Sequence, residues 1–561
     1  MSATRTRSSG DAPPASGGRA PASPISWIEW ARVTGLAVGL VAILTYPTIP
    51  GLLSMGRLDT GDGRFSIWNV GWIDHALLTD PRHLFDANIF YPHTGTLAYS
   101  ELNLVAGALG LPVFALTKNA LAAQNSAVVI GFVLTYLCTW ALVRRLTRSG
   151  PAGLVAATAF TFCPFLQCHT AHIQLLMAFS IPLSFLAFDR LREAPTIRRA
   201  AALGAALTVM GLSCAYYGIY GGAALGAAAV LFGRRERRYW IALGAAVVVA
   251  AALTAPVLIP YVHAREASGV AESMSRPNGT AYAARWQDYF TSPSIAHGWL
   301  SQGGAECTFP GILALGLAGA GVVLTLRRGT AGDRRAVGVF LAVAGLAVWA
   351  SFGSPLGLYD LVRVVPGGSL LRAPVRFGVV VMLAVAVLAG YGVKALARSR
   401  AWLAPALITG IALELAAIPW PLQARDPVPR AFQMLAVLPP GPVVEFHFPY
   451  KASDFHNQTH AMFDSTYHWR PLVNGYSDLT PPEFEALAVA INAFPDEPSF
   501  ELMRKLHVRY VVFNLDDYQG EARDRLLARF PAYEAYMRRL TIDRNVWLFE
   551  IVGWPPGSGG A

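Results

Sequence analysis

Charged residues are scarce in this chain: Asp, Glu, Lys and Arg make up 14% of its 561 residues, against about 25% in an ordinary soluble domain. Hydrophobic residues reach 54% and the mean hydropathy is +0.40. This composition excludes a water-soluble globular protein, so the bilayer is the expected solvent. The net charge of +10 comes from basic clusters between apolar runs, which orient a membrane protein against anionic lipid. No nucleic-acid partner is expected.

Cysteine and lysine are also scarce. The five cysteines mostly lie inside or at the ends of apolar runs, and their spacing suits neither a metal site nor an even disulfide framework; we expect small core residues. Only 4 lysines accompany 41 arginines, and Ala and Gly are abundant, which favours a GC-rich bacterium and hence its plasma membrane. Nucleotide-binding and nucleophile-elbow motifs are missing. The cysteines are Cys138, Cys163, Cys168, Cys214 and Cys307.

Arginine clusters between the apolar runs determine the predicted topology. Short basic loops stay in the cytoplasm, and the runs between them are long enough to cross a bilayer, at about 17 to 25 residues each. All 12 histidines then fall on the outer side. About eleven spans are predicted, at 27–52, 124–143, 152–168, 172–189, 200–215, 217–232, 239–262, 308–326, 336–352, 376–395 and 401–420.

Three kinds of segment lie outside these spans. Residues 1–26 have no periodicity and are expected to form a disordered cytoplasmic tail before an uncleaved signal anchor. If the apolar run 104–117 crossed the bilayer completely, every later arginine cluster would lie on the outer side. This run is therefore predicted to dip into the outer leaflet. The predicted membrane domain, 27–420, therefore carries outer loops at 53–123, 263–307 and 353–375.

The composition becomes polar from residue 421. Short β-type runs at 443–448, 510–515 and 546–551 alternate with helical patterns that begin near Pro481 and Ser499. We therefore predict a small extracytoplasmic α/β domain over residues 421–561. The expected fold is an all-α polytopic membrane bundle with this domain at its carboxyl end.

The first outer loop carries the densest acidic signal in the chain. Asp59 and Asp62 follow the first span directly, and Glu101 lies near the end of the loop. A partly desolvated carboxylate gains proton affinity and can take a proton from a hydroxyl nucleophile. The alternative is that both aspartates are turn formers beside Gly61 and Gly63.

Five strings stand out along the chain: DTGDGRFSIWNVGWIDHALL, FDANIFYPHTGTLAYSELNL, ARWQDYFTSPSIAHGW, LLRAPVRFGVVVMLAVAVLAGYG and HWRPLVNGYSDLTPPEF. These strings and the order of the segments resemble the GT-C superfamily of membrane glycosyltransferases and, more closely, its bacterial YfhO-related branch. The resemblance implies transfer of a sugar from a polyprenyl-phosphate donor to a glycan, lipid or protein acceptor of the cell envelope, on the outer face. It also implies an acidic base just after the first span, a role that falls to Asp62 first and Asp59 second.

Two arginines lie where the positive-inside rule disfavours them. Arg372 and Arg376 flank Pro374 at the end of the last outer loop. Arginine forms bidentate pairs with phosphate, so both are candidates for binding the donor phosphate. Contact with outer lipid headgroups is the alternative. Arg285 is a weaker candidate of the same kind.

His169 and His172 stand three residues apart at the outer end of a predicted span, so a helix would present both on one face. They could contact a sugar or phosphate, or hold a divalent metal ion with a nearby carboxylate. Two histidines are a weak metal signal, and a structural role is the alternative. Glu306 is expected to face a cavity, because a carboxylate that faces lipid is costly.

The tail contains a Pro/Gly loop with hydrogen-bonding and stacking groups for a sugar, at His468, Asn474 and Tyr476. A loop packed on its own domain is equally compatible with this pattern. Two other functions stay open. A transporter or flippase should show charged helices at mid-membrane depth and internal repeats, whereas Glu414 is the main mid-span charge and no repeat is visible. A non-catalytic envelope-assembly scaffold of the same fold is the other.

Overall fold

The computed structural model is mostly helical up to residue 420. The expected disordered tail lies outside the described residues except for Ile25 and Ser26, whose hydroxyl caps the first helix. The predicted outer loops 263–307 and 353–375 are described only in part. The structure describes residues 25–101, 103–266, 282–300, 303–304, 306–354, 358–364, 372–396 and 400–556.

Within these residues, six helices are long and apolar enough to cross a membrane, and each coincides with a predicted span. They are Trp27–Leu44, Ala120–Thr147, Gly150–Cys168, Arg237–Ala264, Ala331–Ser351 and Pro374–Leu396. The α-helices before the tail are α1 (Trp27–Leu44), α2 (Gly61–Thr79), α3 (Leu104–Thr117), α4 (Ala120–Thr147), α5 (Gly150–Thr161), α6 (Pro164–Cys168), α7 (Ile173–Leu176), α8 (Ser180–Glu193), α9 (Ile197–Ser213), α10 (Gly222–Leu231), α11 (Arg237–Glu266), α12 (Ile312–Arg328), α13 (Ala331–Ser351), α14 (Leu358–Val364), α15 (Gly378–Leu396) and α16 (Leu403–Glu414).

The other five predicted spans also contain helices, but each is short or interrupted. The four-residue α7 precedes the 14-residue α8, and a π-helical turn at Tyr217–Gly221 precedes the 10-residue α10. α9 and α12 have 17 residues each, and α16 has 12. A 12-residue helix rises about 18 Å, less than the roughly 30 Å of the hydrocarbon core. The mostly helical bundle is confirmed, and the count of about eleven spans stays a prediction.

Ion pairs join the arginine-rich helix ends. Arg144, near the end of α4, pairs with Glu29 at the start of α1, with 2.8 Å between Nε and Oε1. Lys394, near the end of α15, pairs with Asp333 in the first turn of α13 at 2.8 Å. These are the ends that the predicted topology places in the cytoplasm. The pairs hold the ends together, and the assignment of sides stays a prediction.

The apolar run 104–117 forms the 14-residue helix α3, with Pro112 inside it. Such a helix rises about 21 Å, which suits a partial rather than a full crossing. It packs closely on α2 because Gly107 and Gly110 lack a Cβ. A Cβ added at either position would lie 3.2 Å from a carboxylate oxygen of Asp74.

The tail contains the strands β3 (Val443–Phe446), β4 (Tyr510–Asn514), β5 (Met537–Asp543) and β6 (Val546–Ile551), with helices α17 (Arg430–Val437), α18 (Thr459–Ser465), α19 (Phe484–Ile491), α20 (Glu497–Lys505) and α21 (Glu521–Tyr533). The strands form one sheet in the order β3, β4, β6, β5. The first pair is parallel and the other two pairs are antiparallel. Three strands match the predicted runs. The sequence does not predict β5, because only its first residue is buried and the strand lacks the pattern of a buried strand.

The tail and the first outer loop share one hydrophobic core. Trp68 of α2 lies in the same buried cluster as Phe446 and Phe513 of the sheet. Strand β1 (Met55–Gly56) of the outer loop also pairs with β2 (Gln423–Ala424), which precedes α17. The change of composition at residue 421 is therefore not a boundary of the hydrophobic core.

A disulfide joins Cys168, at the end of α6, to Cys307. The expectation that all five cysteines are small core residues is therefore wrong for these two. The two cysteines are 139 residues apart, and only the path of the chain brings them together, so their spacing could not reveal the bond. Both lie on the predicted outer side, where disulfides persist.

Candidate functional site

A cavity of about 310 Å³ opens where the first outer loop, the helical bundle and the tail meet. One side is apolar and includes Leu212, Val257 and Leu258, the last two from α11. The other side carries acids, arginines and hydroxyl groups within one enclosure. The polar and charged residues that line it are Asp62, Ser66, Tyr99, Ser100, Glu101, Asn103, His172, Gln174, Tyr216, Tyr261, Arg372, Arg376, Tyr476, Ser477 and Asp478.

Asp62 lies in the first turn of α2, which Thr60 begins by accepting a hydrogen bond from the backbone N–H of Gly63. Its carboxylate lines the cavity, 3.4 Å from Nε2 of His172. Partial desolvation and the nearby Asp478 raise the pKa of Asp62 above its ordinary value, against the opposing effect of two arginines, although the side chain keeps 56% of its accessible surface. The carboxylate is thus accessible from the cavity and has an increased affinity for protons.

Asp59 is held differently. Arg57 donates to both of its carboxylate oxygens, at 2.9 and 3.1 Å, and also binds the hydroxyl of Thr170. Burial opposes the effect of Arg57, but the net result is that the pKa of Asp59 falls below its ordinary value. Asp59 is not among the residues that line the cavity. The structure therefore favours Asp62 over Asp59 as the residue that can meet a substrate.

Arg372 and Arg376 line the same cavity as Asp62. Arg372 donates from Nη2 to Oδ1 of Asp478 at 3.0 Å. The Arg376 guanidinium lies over the ring of Tyr216, 4.1 Å from its centroid, a favourable cation–π distance. The two guanidinium groups provide fixed positive charge on the polar side of the cavity.

Glu101 also faces this cavity, where the thiol of Cys214 lies 3.9 Å from its Oε2. Burial, which the nearby Arg376 partly offsets, raises the pKa of Glu101 to about 7. A carboxyl group with such a pKa can accept or donate a proton near neutrality. Glu101 is therefore a second titratable group in the same enclosure.

His169 and His172 have different surroundings. Nε2 of His169 lies 3.0 Å from Oε2 of Glu306, and its Nδ1 lies 2.6 Å from the carbonyl oxygen of Phe165. Burial favours a higher pKa for Glu306, but the hydrogen bond and the charge of His169 have the larger combined effect. The net result is that the pKa of Glu306 lies below its ordinary value. Only His172 lines the cavity. Among the described residues, no group of three or more His, Cys, Asp or Glu side chains is arranged to hold a metal ion.

Three further predicted substrate contacts lie outside the cavity, as His169 and Glu306 do. Nδ1 of His468 accepts the backbone N–H of Arg470 at 3.1 Å, and Asn474 exchanges hydrogen bonds with the backbone of Glu445 at 2.8 Å each. Both residues stabilise the tail and do not line the cavity. Arg285 is exposed and also outside it. Local sequence could not separate these polar side chains from Tyr476, which does line the cavity.

Asp478 was not predicted as a site residue, although it lies in one of the strings that carried the resemblance. Its Oδ2 accepts a hydrogen bond from Ser100 at 2.8 Å, while Oδ1 pairs with Arg372. The neighbouring backbone N–H of Leu479 donates to the carbonyl of Tyr99 at 3.1 Å. The available signal was a charged residue beside Tyr476, but its partners lie more than 100 residues away.

Comparison with known proteins gives a result only at the level of structure, since no protein-family profile and no curated protein matches the sequence. The arabinofuranosyltransferase AftD from mycobacteria superposes with a TM-score of 0.54 at 14% identity, over 95% of this chain and 40% of AftD. The chain shares the fold of that enzyme. It spans less than half of the length of AftD.

Two other solved structures are similar at lower scores. The oligosaccharyltransferase of Archaeoglobus fulgidus gives a TM-score of 0.46 at 13% identity, over 91% of this chain and 73% of its own. ArnT from Cupriavidus metallidurans gives 0.43 at 16% identity, over 93% and 98%. The chain therefore shares its fold with a known glycosyltransferase, whereas the GT-C superfamily and its YfhO-related branch stay predictions.

Proposed function

We propose that this protein is a membrane glycosyltransferase that moves a sugar from a polyprenyl-phosphate-linked donor to a cell-envelope acceptor on the outer face of a bacterial plasma membrane. The observation that carries the proposal is the cavity itself. It brings Asp62 together with Arg372 and Arg376, which follow Asp62 by more than 300 residues in sequence, within a fold shared with a glycosyltransferase.

In the proposed reaction, Asp62 removes the proton from an acceptor hydroxyl as the hydroxyl oxygen attacks the anomeric carbon of the donor sugar. The bond between that carbon and the phosphate oxygen breaks, and its electron pair leaves with the polyprenyl phosphate. Arg372 and Arg376 stabilise the negative charge that develops on the leaving phosphate, because a guanidinium group can donate two parallel hydrogen bonds to phosphate oxygens. The raised pKa of Asp62 makes its carboxylate a stronger base for this step.

The apolar side of the cavity supports a lipid-linked donor. Val257 and Leu258 of α11 line it, and this helix exposes further apolar side chains such as Val248, Leu253 and Val262. An isoprenoid chain could follow this surface into the bilayer while its phosphate stays beside the arginines. The polar side of the cavity leaves room for the sugar near Tyr476 and Glu101.

A pair of matched variants tests the proposal. Asp62→Asn keeps the shape of the side chain but removes the basic oxygen, and loss of a general base costs on the order of a hundredfold to ten-thousandfold. Asp59→Asn is the matched control: it changes the charge equally, three residues away, on a side chain outside the cavity. Membranes from a deletion strain that carries each variant are assayed for transfer from the polyprenyl-phosphate sugar that accumulates in that strain.

We expect Asp62→Asn to lose transfer at normal protein levels and Asp59→Asn to retain most of it. Loss in the Asp59 variant alone would reverse the assignment of the base. Full complementation by both single variants and by the double variant would contradict the transferase proposal. The non-catalytic scaffold would then be the better interpretation.

A further inference from the structure

The tail contributes the acidic side chain of Asp478 to the cavity. This carboxylate forms an ion pair with Arg372. Asp478 lies in a loop whose backbone is fixed to the first outer loop through Leu479 and Tyr99. Its two carboxylate oxygens have different partners, the hydroxyl of Ser100 at 2.8 Å and Nη2 of Arg372 at 3.0 Å. The carboxylate is therefore held in place with one oxygen directed at the guanidinium.

Arg372 is the cavity arginine that can exchange partners most readily. Its side chain keeps 34% of its accessible surface and that of Asp478 keeps 38%, so the pair can open without leaving a fully buried charge. Carboxylate and phosphate oxygens use the same donors of a guanidinium. An incoming phosphate and Asp478 would therefore compete for Arg372.

We propose that Asp478 is a built-in competitor for the donor phosphate: it pairs with Arg372 and is displaced when the phosphate binds this guanidinium. This inference rests on the proposed function, because it takes the phosphate of the donor as the competing ligand. It assigns to the tail a positioning role: the tail sets how tightly the cavity holds the donor and, later, how readily the polyprenyl phosphate leaves.

The same displacement affects Asp62. Asp478 is close enough to Asp62 to raise its pKa, while Arg372 lowers it. When a phosphate takes Arg372, the negative charge of Asp478 is no longer neutralised, and Asp62 holds a proton more strongly. Donor binding would thus strengthen the base. Among the described residues, the charged and titratable groups that interact with Asp62 include Asp478 and Tyr476 from the tail loop, Arg372 and Arg376 from the outer loop before α15, His172 before α7, and His456 of the tail.

Binding of undecaprenyl phosphate to the full-length protein in detergent tests the inference. Asp478→Asn keeps an oxygen for Ser100 but cannot form the ion pair, so we expect tighter binding. A partly exposed ion pair of this kind changes an equilibrium by about twofold to fivefold. Ser100→Ala is the matched control, since it removes the other partner of Asp478 but keeps the carboxylate, and it should not tighten binding.

The double variant Arg372→Ala with Asp478→Asn should bind the lipid as Arg372→Ala alone does. Without the Arg372 guanidinium, the carboxylate of Asp478 no longer competes with the phosphate. In the transfer assay, the acidic limb of the pH profile should move to lower pH in Asp478→Asn, a change that a purely structural role would not cause. The inference is overturned if Asp478→Asn binds the lipid no more tightly than the unaltered protein does, while Arg372→Ala binds it more weakly. This result would leave the proposed function standing. Failure of every form to bind undecaprenyl phosphate overturns both.

Discussion

Replacing Asp74 with Asn should remove a large part of the pH dependence of stability. Asp74 is completely buried on α2, and neither of its carboxylate oxygens has a hydrogen-bond partner among the described residues. Gly107 and Gly110 of α3 press against it. An unpaired buried carboxylate is costly, and burial raises the pKa of Asp74 to about 8. The folded protein therefore keeps this carboxyl group protonated at neutral pH.

The direction of this pH dependence follows from the protonation of Asp74 in the folded and the unfolded protein. An aspartate in the unfolded chain has a pKa of about 3.9, so between that value and about 8 only the folded state holds the proton. The free energy of unfolding therefore falls as the pH rises through this window, by about 1.4 kcal/mol per pH unit. It is constant with respect to this group below about pH 4 and above about pH 8. Over the whole window the loss is on the order of 5 kcal/mol.

The assay is thermal unfolding in detergent at intervals from pH 5 to pH 8. Asp74→Asn resembles the protonated carboxyl group in shape and does not titrate, so its advantage over the unaltered protein should grow with pH. Asp524→Asn, an exposed aspartate on α21, is the matched control and should leave the pH dependence unchanged. Melting temperatures of the unaltered protein and Asp74→Asn that stay parallel across the range would refute the buried, protonated state of Asp74.

Two further experiments test the disulfide and the topology. Replacing Cys168 and Cys307 together with Ala should lower the free energy of unfolding by about 2–4 kcal/mol, the usual range for a disulfide that closes a long loop; labelling of both thiols in the unaltered protein without a reductant would show that the bond is absent. Reporter fusions at Gly150 and Gly233 should be cytoplasmic and a fusion at Gly95 external, since the arginine clusters determine the topology; an external signal at Gly150 would mean that 104–117 is a full span.

Sequence determined the elements whose cause is local. Apolar runs predict membrane helices because a backbone in lipid must satisfy its own hydrogen bonds, and the long helices α4 and α15 lie where such runs were found. The three predicted β-type runs form β3, β4 and β6, because their apolar residues are buried in a sheet. The polar edge strand β5 has no such pattern and was missed.

Residue type and position along the chain also indicated part of the site. An acid directly after the first span predicts Asp62 as a site residue, and arginines on the side where they are disfavoured predict Arg372 and Arg376. All three line one cavity. The same reasoning could not rank Asp62 above Asp59. That ranking depends on Arg57, whose guanidinium binds Asp59 and leaves Asp62 to face the cavity.

The tertiary structure alone decided which distant groups meet. The ion pair of Arg372 with Asp478 spans 106 residues and the disulfide of Cys168 with Cys307 spans 139. Tertiary packing also directs His468 and Asn474 towards backbone groups of Arg470 and Glu445 within the tail. No local pattern encodes such pairings, because they depend on the path of the whole chain, whereas the helices, strands and basic helix ends follow from hydrophobicity, hydrogen bonding and charge within a few consecutive turns.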